Sequence, residues 1–306
     1  MSSPAFESND EPRIHTIDSA LGAEVIGLDV SAPLDEPTLA SIRAAFQQHH
    51  MLCFRDQNLT TEQQVAFTAQ FGELEVFPEA DKTKEATVVY HVANVSTDGV
   101  LLGSKHVQSI FQKVNARWHT DSSYRSIPSL ASVMYGIEVL PDDAKGGETE
   151  FTNLFAAYDA LPEALKYQLE PLHMVHHYEF GRRLFAQLPP VSHAEKSLVP
   201  PVAHPVVRLH ADRDDRRSLF FTTNAGNEIS GMTLEDGQAL HRTLASHVSK
   251  SQFCYKHRWR PNDLVMWDNR CLLHRARGYD MDRYRRVFRR TTVAGARPIR
   301  GPFSRD

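Results

Sequence analysis

Trp118-His119-Thr120-Asp121, together with His274 at the end of the distant run Met266-Trp267-Asp268-Asn269-Arg270-Cys271-Leu272-Leu273-His274, supplies two imidazoles and one carboxylate. That set can take one face of an octahedral iron(II) ion and leave the remaining positions open to a co-substrate and dioxygen. On a strand, residues two apart project from the same side, so a His-x-Asp pair aims both groups at one point. The pair alone is not selective, because His210-Ala211-Asp212 repeats it. That copy runs into the charged turn Asp212-Arg213-Asp214-Asp215-Arg216-Arg217 and reads as a solvated hairpin end. His173, His176 and His177 form the densest histidine group, but no cysteine or acidic residue at short spacing completes a zinc set. Trp118 and Trp267 flank the ligand segments and read as packing walls.

The elements that would position these groups are many short strands with a few helices. Gly22 to Val30 alternates like a strand, Asp35 with Pro37 opens an amphipathic helix through Phe46, and Met51 to Phe54 is a short buried strand. Thr61-Glu62-Gln63-Gln64 is a capping-box pattern before a helix ending near Gly72. Glu73 to Ala116 mixes strand-like pieces, Ala86 to Val92 among them, with a polar lid-like stretch from Ser96 to Ser104. Leu130 to Leu140 and Glu148 to Phe151 read as strands. Asn153 to Leu172 has helical spacing that Pro162 interrupts and restarts. Residues 173–204 are proline-rich with weak periodicity and are expected to be an insertion over the core. Val206 to Leu209 and Ser218 to Thr223 follow as strands, Thr233 caps a helix through Val248 with Asp236 in its first turn, and Phe253 to His257, Asp263 to Trp267 and Arg285 to Val293 close the series. This pattern predicts a mainly β sandwich with peripheral helices.

Composition sets the bounds. In 306 residues, 41% apolar and 24% charged with a net charge of −4, nothing favours nucleic acid, and a small molecule is the expected partner. No apolar run approaches the length of a membrane span, Met1 to Arg13 is polar and expected to be flexible, and the chain is expected to be a single cytoplasmic domain. Cys53, Cys254 and Cys271 are widely spaced and read as reduced core residues. Phosphate loops and nucleophile elbows do not occur. The oligomeric state is left open.

Taken together, Trp118 to Tyr124 (WHTDSSY), Gly146 to Phe151 (GGETEF), Ala156 to Pro162 (AAYDALP), Met266 to His274 and Arg286 to Gly295 resemble the taurine/2,4-dichlorophenoxyacetate dioxygenase family. The SSY and AAYDALP segments and Tyr255 to Arg260 (YKHRWR) are most similar to its aryloxyalkanoate branch. The resemblance spans about Gly22 to Gly295, with the motifs in the family's order. It implies a double-stranded β-helix, or jelly roll, using iron(II), 2-oxoglutarate and dioxygen. On it, His119, Asp121 and His274 match the metal ligands. Thr149 and Arg286 match the groups that hold the distal carboxylate of 2-oxoglutarate, a planar bidentate task suited to arginine. Arg290 matches the group for the anionic head of the primary substrate, and Asn115 a substrate-contacting amide.

Strand parity puts Arg286, Phe288, Arg290 and Thr292 on one face. Arg285 and Arg289 are the alternatives if an extra residue in the turn Tyr279 to Arg283 shifts the register; otherwise they read as a solvated outer face. The family's substrate loop corresponds to about Phe77 to Lys84, where Glu79 stands in place of the taurine enzyme's histidine and would repel a sulfonate. Asp121 argues against a halogenase, since family halogenases lose this carboxylate to admit chloride. The resemblance thus implies hydroxylation of a small carboxylate of aryloxyalkanoate type with ether cleavage. A taurine-like sulfonate or sulfate ester, or another small carboxylic acid, is the alternative.

Overall fold

The computed structural model describes residues 12–17, 20–76, 88–210, 212 and 216–300. Its main sheet has seven strands in the order Arg13–Thr16, Ala23–Ile26, Met51–Phe54, Leu264–Asp268, Ala131–Glu138, Val287–Val293 and Val89–Ala93. Facing it is a three-stranded sheet with Thr149–Asn153 between Cys254–His257 and Leu272–Ala276. Cys53, Met134, Val265, Trp267 and Phe288 from the larger sheet meet Phe151 and Leu272 from the smaller in one apolar layer. The result is the mainly β jelly roll with peripheral helices that the sequence leads one to expect.

The helices Glu36–His49 and Thr61–Ala69 cover the other face of the large sheet, where Ile42, Phe46 and Phe67 pack against Leu52, Phe54, Val133 and Leu264. Both faces of these strands are therefore buried, which is why Met51–Phe54 is a continuous apolar run with no alternation. A third apolar cluster holds Trp118, Leu154, Tyr158, Leu219, Leu240 and Leu244 where the helices Leu154–Asp159 and Leu234–Val248 pack. Asp35 and Thr233 cap their helices as expected, accepting from the amides of Thr38 (2.9 Å) and Asp236 (3.1 Å). Cys53 and Cys271 are buried, Cys254 is half-buried, and all three are free thiols.

Several readings are corrected. The capping box is Thr60 with Gln63, one residue upstream of the expected pair, and it is reciprocal at 3.2 and 2.8 Å. Gln64 cannot serve because its amide is buried against the strands, donating to the carbonyls of Val133 and Arg289, each at 3.1 Å. Within Glu73 to Ala116 lies a helix, Val107–Lys113, and Leu272–Ala276, the strand that carries His274, shows too short an apolar run to be legible. Residues 173–204 open with the strand His173–His176, paired to Val202–Pro205 and Glu228–Ile229, and continue through two short helices.

Candidate active site

His119 and His274 face each other across an isolated antiparallel bridge: the His119 amide donates to the His274 carbonyl at 3.0 Å, and the reverse bond is 2.8 Å. Directly opposed residues project to the same side, so the imidazole centroids stand 4.1 Å apart. Backbone pairing, not a shared strand, sets this geometry. The expected strand position for Asp121 is overturned as well, because the chain leaves the bridge at once and enters a turn whose second residue, Ser122, has φ of 52°. A non-glycine residue in that region needs support from its surroundings. Glu75 gives it, accepting from the Ser122 hydroxyl and from Ser129 at 2.5 Å and pairing with Arg125 at 3.1 Å.

His119, Asp121 and His274 each present one ligand atom, and these atoms lie within 4.8 Å of one another. The His119 Nδ1–H donates to the Arg117 carbonyl at 2.7 Å, which leaves its Nε2 lone pair for a metal. The His274 Nε2 is 3.8 Å from Asp121 Oδ2. Burial lowers the pKa of both imidazoles, so both are neutral and able to ligate. Burial alone would raise Asp121, but Arg290, then His274 and His119, outweigh it and hold the carboxyl down to about 2. The donor set fits a divalent iron.

Among the described residues, two further buried groups contain the right elements, His50 with Asp268 and Cys271, and Cys53 with His257 and Asp263. Their carboxylates are committed to structural work: Asp268 to Arg270 and His210, Asp263 to Arg55 and His257. His210 is thus not the solvated hairpin end expected; it is buried and holds Asp268 at 3.0 Å. His176, equally buried, packs edge-on against His204 and beside Phe220.

The arginine pairs separate by environment. Arg285 is exposed and bound to Glu138 and the Gly99 carbonyl. Arg289 is buried, contrary to the solvated face expected of it, because the helix Thr61–Ala69 lies over that side of the sheet. Its guanidinium is consumed by Gln64, Thr61 and the carbonyls of Leu59 and Thr60, at 2.7 to 3.0 Å. Arg286 is only 4% exposed, and its Nε and Nη2 have no hydrogen-bond partner among the described residues. It lies over the Phe288 ring, 4.0 Å from the centroid, and near Tyr279, whose hydroxyl is likewise unpartnered. Burial without an anion pushes the Arg286 pKa down to about 10.

Phe288 packs edge-on against Trp259, and the Trp259 indole donates to Thr149 Oγ1 at 2.9 Å. An indole N–H can only donate, so the buried Thr149 hydroxyl accepts from it and keeps its own proton for another acceptor. Among the described residues, Arg286, Tyr279 and Thr149 are thus donors lacking an acceptor, the complement of a carboxylate.

A cavity of about 280 Å³ opens on His119 and Asp121 and is walled by Tyr90, Phe111, Tyr124 and Tyr178. Asn115, half-buried in the short 3-10 turn Val114–Ala116, lines it, as does Arg290, whose guanidinium donates to Asp121 Oδ1. Arg182, which the sequence did not single out, also borders this cavity, stacked near Phe111 and Tyr178. The predicted metal ligands, Arg290 and Asn115 thus come together, with Thr149 and Arg286 linked to one another through Trp259 and Phe288. Trp118 and Trp267 are buried as expected, and Trp267 also packs on the His274 ring, 4.8 Å between centroids. Glu79 and the loop from Phe77 to Lys84 lie outside the described residues.

Residues 13–292 match the family described as taurine catabolism dioxygenase TauD, TfdA family. The chain is 35% identical to the alpha-ketoglutarate-dependent 2,4-dichlorophenoxyacetate dioxygenase of Cupriavidus pinatubonensis, covering 90% of this chain and 95% of that protein. It is 32% identical to the (S)-phenoxypropionate/alpha-ketoglutarate-dioxygenase of Sphingobium herbicidovorans, over 96% of each. The crystal structure of AAD-2 in complex with Mn(II) and N-oxalylglycine superimposes with a TM-score of 0.84 at 34% identity, covering 94% of this chain and 98% of that one.

Proposed function

The chain belongs to the taurine catabolism dioxygenase TauD, TfdA family, and from that premise we propose that it oxidises a small aryloxyalkanoate carboxylate at the carbon beside the acid group. It is an iron(II)- and 2-oxoglutarate-dependent dioxygenase. His119, Asp121 and His274 would hold the iron, and Arg286 with Thr149 the distal carboxylate of 2-oxoglutarate. The observation that carries the second assignment is the buried Arg286 guanidinium with no acceptor at Nε or Nη2 among the described residues, while Arg289 and Arg285 are spent on protein partners. Bound iron supplies the activation of dioxygen and the hydrogen abstraction that no side chain here can perform, with 2-oxoglutarate leaving as succinate and carbon dioxide.

The protein's own part is positioning and exclusion of water. Arg290, beside the Tyr90 ring and paired with Asp121, lies where a planar guanidinium can receive a substrate carboxylate next to the metal ligands. The aromatic walls of the cavity suit an apolar ring. Hydroxylation beside an ether oxygen yields a hemiacetal, which collapses to a phenol and a carbonyl acid. No described helix is long and apolar enough to cross a membrane, and three free thiols fit a reducing compartment, so we propose the cytoplasm as its location.

The test is incubation with iron(II), ascorbate, 2-oxoglutarate and a panel of phenoxyacetate, both 2-phenoxypropionates, taurine and alkyl sulfates. Phenol should be released in step with succinate from at least one phenoxy acid. Succinate coupled to taurine or an alkyl sulfate, with no phenol from any aryloxy acid, would put a sulfonate or sulfate ester in its place.

A further inference from the structure

Asp121 is the ligand with the least local support, since it stands in a turn whereas both histidines are fixed by backbone pairing. A buried chain of hydrogen bonds reaches it from the opposite side. Ser132 Oγ donates to Asp121 Oδ2 at 2.6 Å, and Asn269 Nδ2 donates to Ser132 Oγ at 3.0 Å. Asn269 Oδ1 in turn accepts from Trp267 Nε1 at 3.1 Å and from the Asp121 amide at 3.3 Å, and the Thr120 hydroxyl proton is shared between the Asn269 carbonyl at 2.8 Å and this Oδ1 at 3.2 Å. Ser132 is fully buried, Asn269 and Trp267 are 1% exposed, and Trp267 and Ser132 are cross-strand partners.

The direction of every bond in this chain is forced. An indole N–H is only a donor, so it fixes the Asn269 amide with its oxygen toward Trp267 and its NH2 toward Ser132. With Asn269 donating to it, the Ser132 oxygen has one proton left, and the only described acceptor it meets is Asp121. Trp267 also packs against the His274 ring, so one side chain touches one ligand and orients another through two intermediates.

We propose that Asn269 and Ser132 are positioning residues of the iron site, a relay started by Trp267 that holds the Asp121 carboxylate toward the metal against the competing pull of Arg290. This rests on the assignment of His119, Asp121 and His274 as iron ligands. Without the relay, Asp121 is free to turn fully onto Arg290, and the metal must win it back. Outer partners of this kind commonly account for about 10- to 100-fold in metal affinity.

The test is anaerobic titration of the metal-free protein with Fe(II), and with Co(II) read by visible absorption, in native, Ser132→Ala, Asn269→Ala, doubly substituted and His274→Ala proteins. Ser132→Ala removes one oxygen atom and should leave the metal-free Tm within a few degrees while weakening both metals about 10- to 100-fold and altering the Co(II) spectrum. The double variant should bind no more weakly than Asn269→Ala alone, because Ser132 is oriented through Asn269, which also holds the Asp121 amide directly. Native-like metal affinity in Ser132→Ala overturns the proposal, as does additive loss in the double variant. If Asn269→Ala does not fold, Ser132→Ala alone decides. A His274→Ala protein that binds as tightly as native would instead overturn the ligand assignment beneath it.

Discussion

Replacing Arg286 with glutamine should move stability and co-substrate affinity in opposite directions. In the metal- and ligand-free protein the guanidinium is buried, its Nε and Nη2 have no acceptor among the described residues, and its pKa is pushed down to about 10 from 12.5. That depression means the charged form costs the fold roughly 3 kcal/mol at neutral pH, since each pKa unit is worth about 1.4 kcal/mol. Arg286→Gln removes the charge, so the unliganded protein should unfold at equal or higher urea concentration. A carboxylate arriving at Arg286 recovers this cost, and its loss should weaken 2-oxoglutarate by about 2 to 5 kcal/mol, roughly 30- to several-thousand-fold in Kd. Urea melts of metal-free protein and anaerobic 2-oxoglutarate titration of the iron-loaded protein measure the two effects. The reasoning fails if Arg286→Gln destabilises the unliganded protein by more than about 1 kcal/mol, or if the 2-oxoglutarate defect appears in Arg289→Gln while Arg286→Gln binds normally.

Arg289→Gln should instead lower stability by about 2 kcal/mol or more, because four hydrogen bonds to Leu59, Thr60, Thr61 and Gln64 go with it, and denaturant melts will show this. Arg290→Gln should raise the KM for the aryloxy acid at least tenfold with little change in the KM for 2-oxoglutarate, which steady-state kinetics with each substrate varied will separate. His210→Ala should cost about 1 to 3 kcal/mol by removing a buried partner of Asp268, yet leave iron affinity within about twofold, since it lies outside the proposed ligand triad. Burial lowers the pKa of His204 to about 4 from 6.5, so the folded protein keeps it neutral while the unfolded chain takes up a proton. Its contribution is intact above pH 6.5 and is lost as pH falls toward 4, roughly 3 kcal/mol in all. Urea melts of His204→Gln should show a shallower loss of stability across that window than the native protein.

The reaction class was largely legible in the residues, and most of the strands could be read in outline. Met51–Phe54, the paired helices on either side of Pro162 and the helix capped by Thr233 follow from local spacing, capping and proline, which act within a few residues. What remained undetermined depended on contacts between distant segments. Strand parity placed Arg286 with Phe288 and Arg290, but when both faces of a strand are buried, parity does not tell which arginines are consumed by protein partners and which are left available. Only the helix Thr61–Ala69 packed on one side, consuming Arg289, decides that. His210 and His119 share a motif, and it is the fold that commits the first to Asp268 and sets the second opposite His274. The relay from Trp267 through Asn269 and Ser132 to Asp121 joins three separate segments, and its directions follow from donor and acceptor geometry that exists only once those segments have packed together.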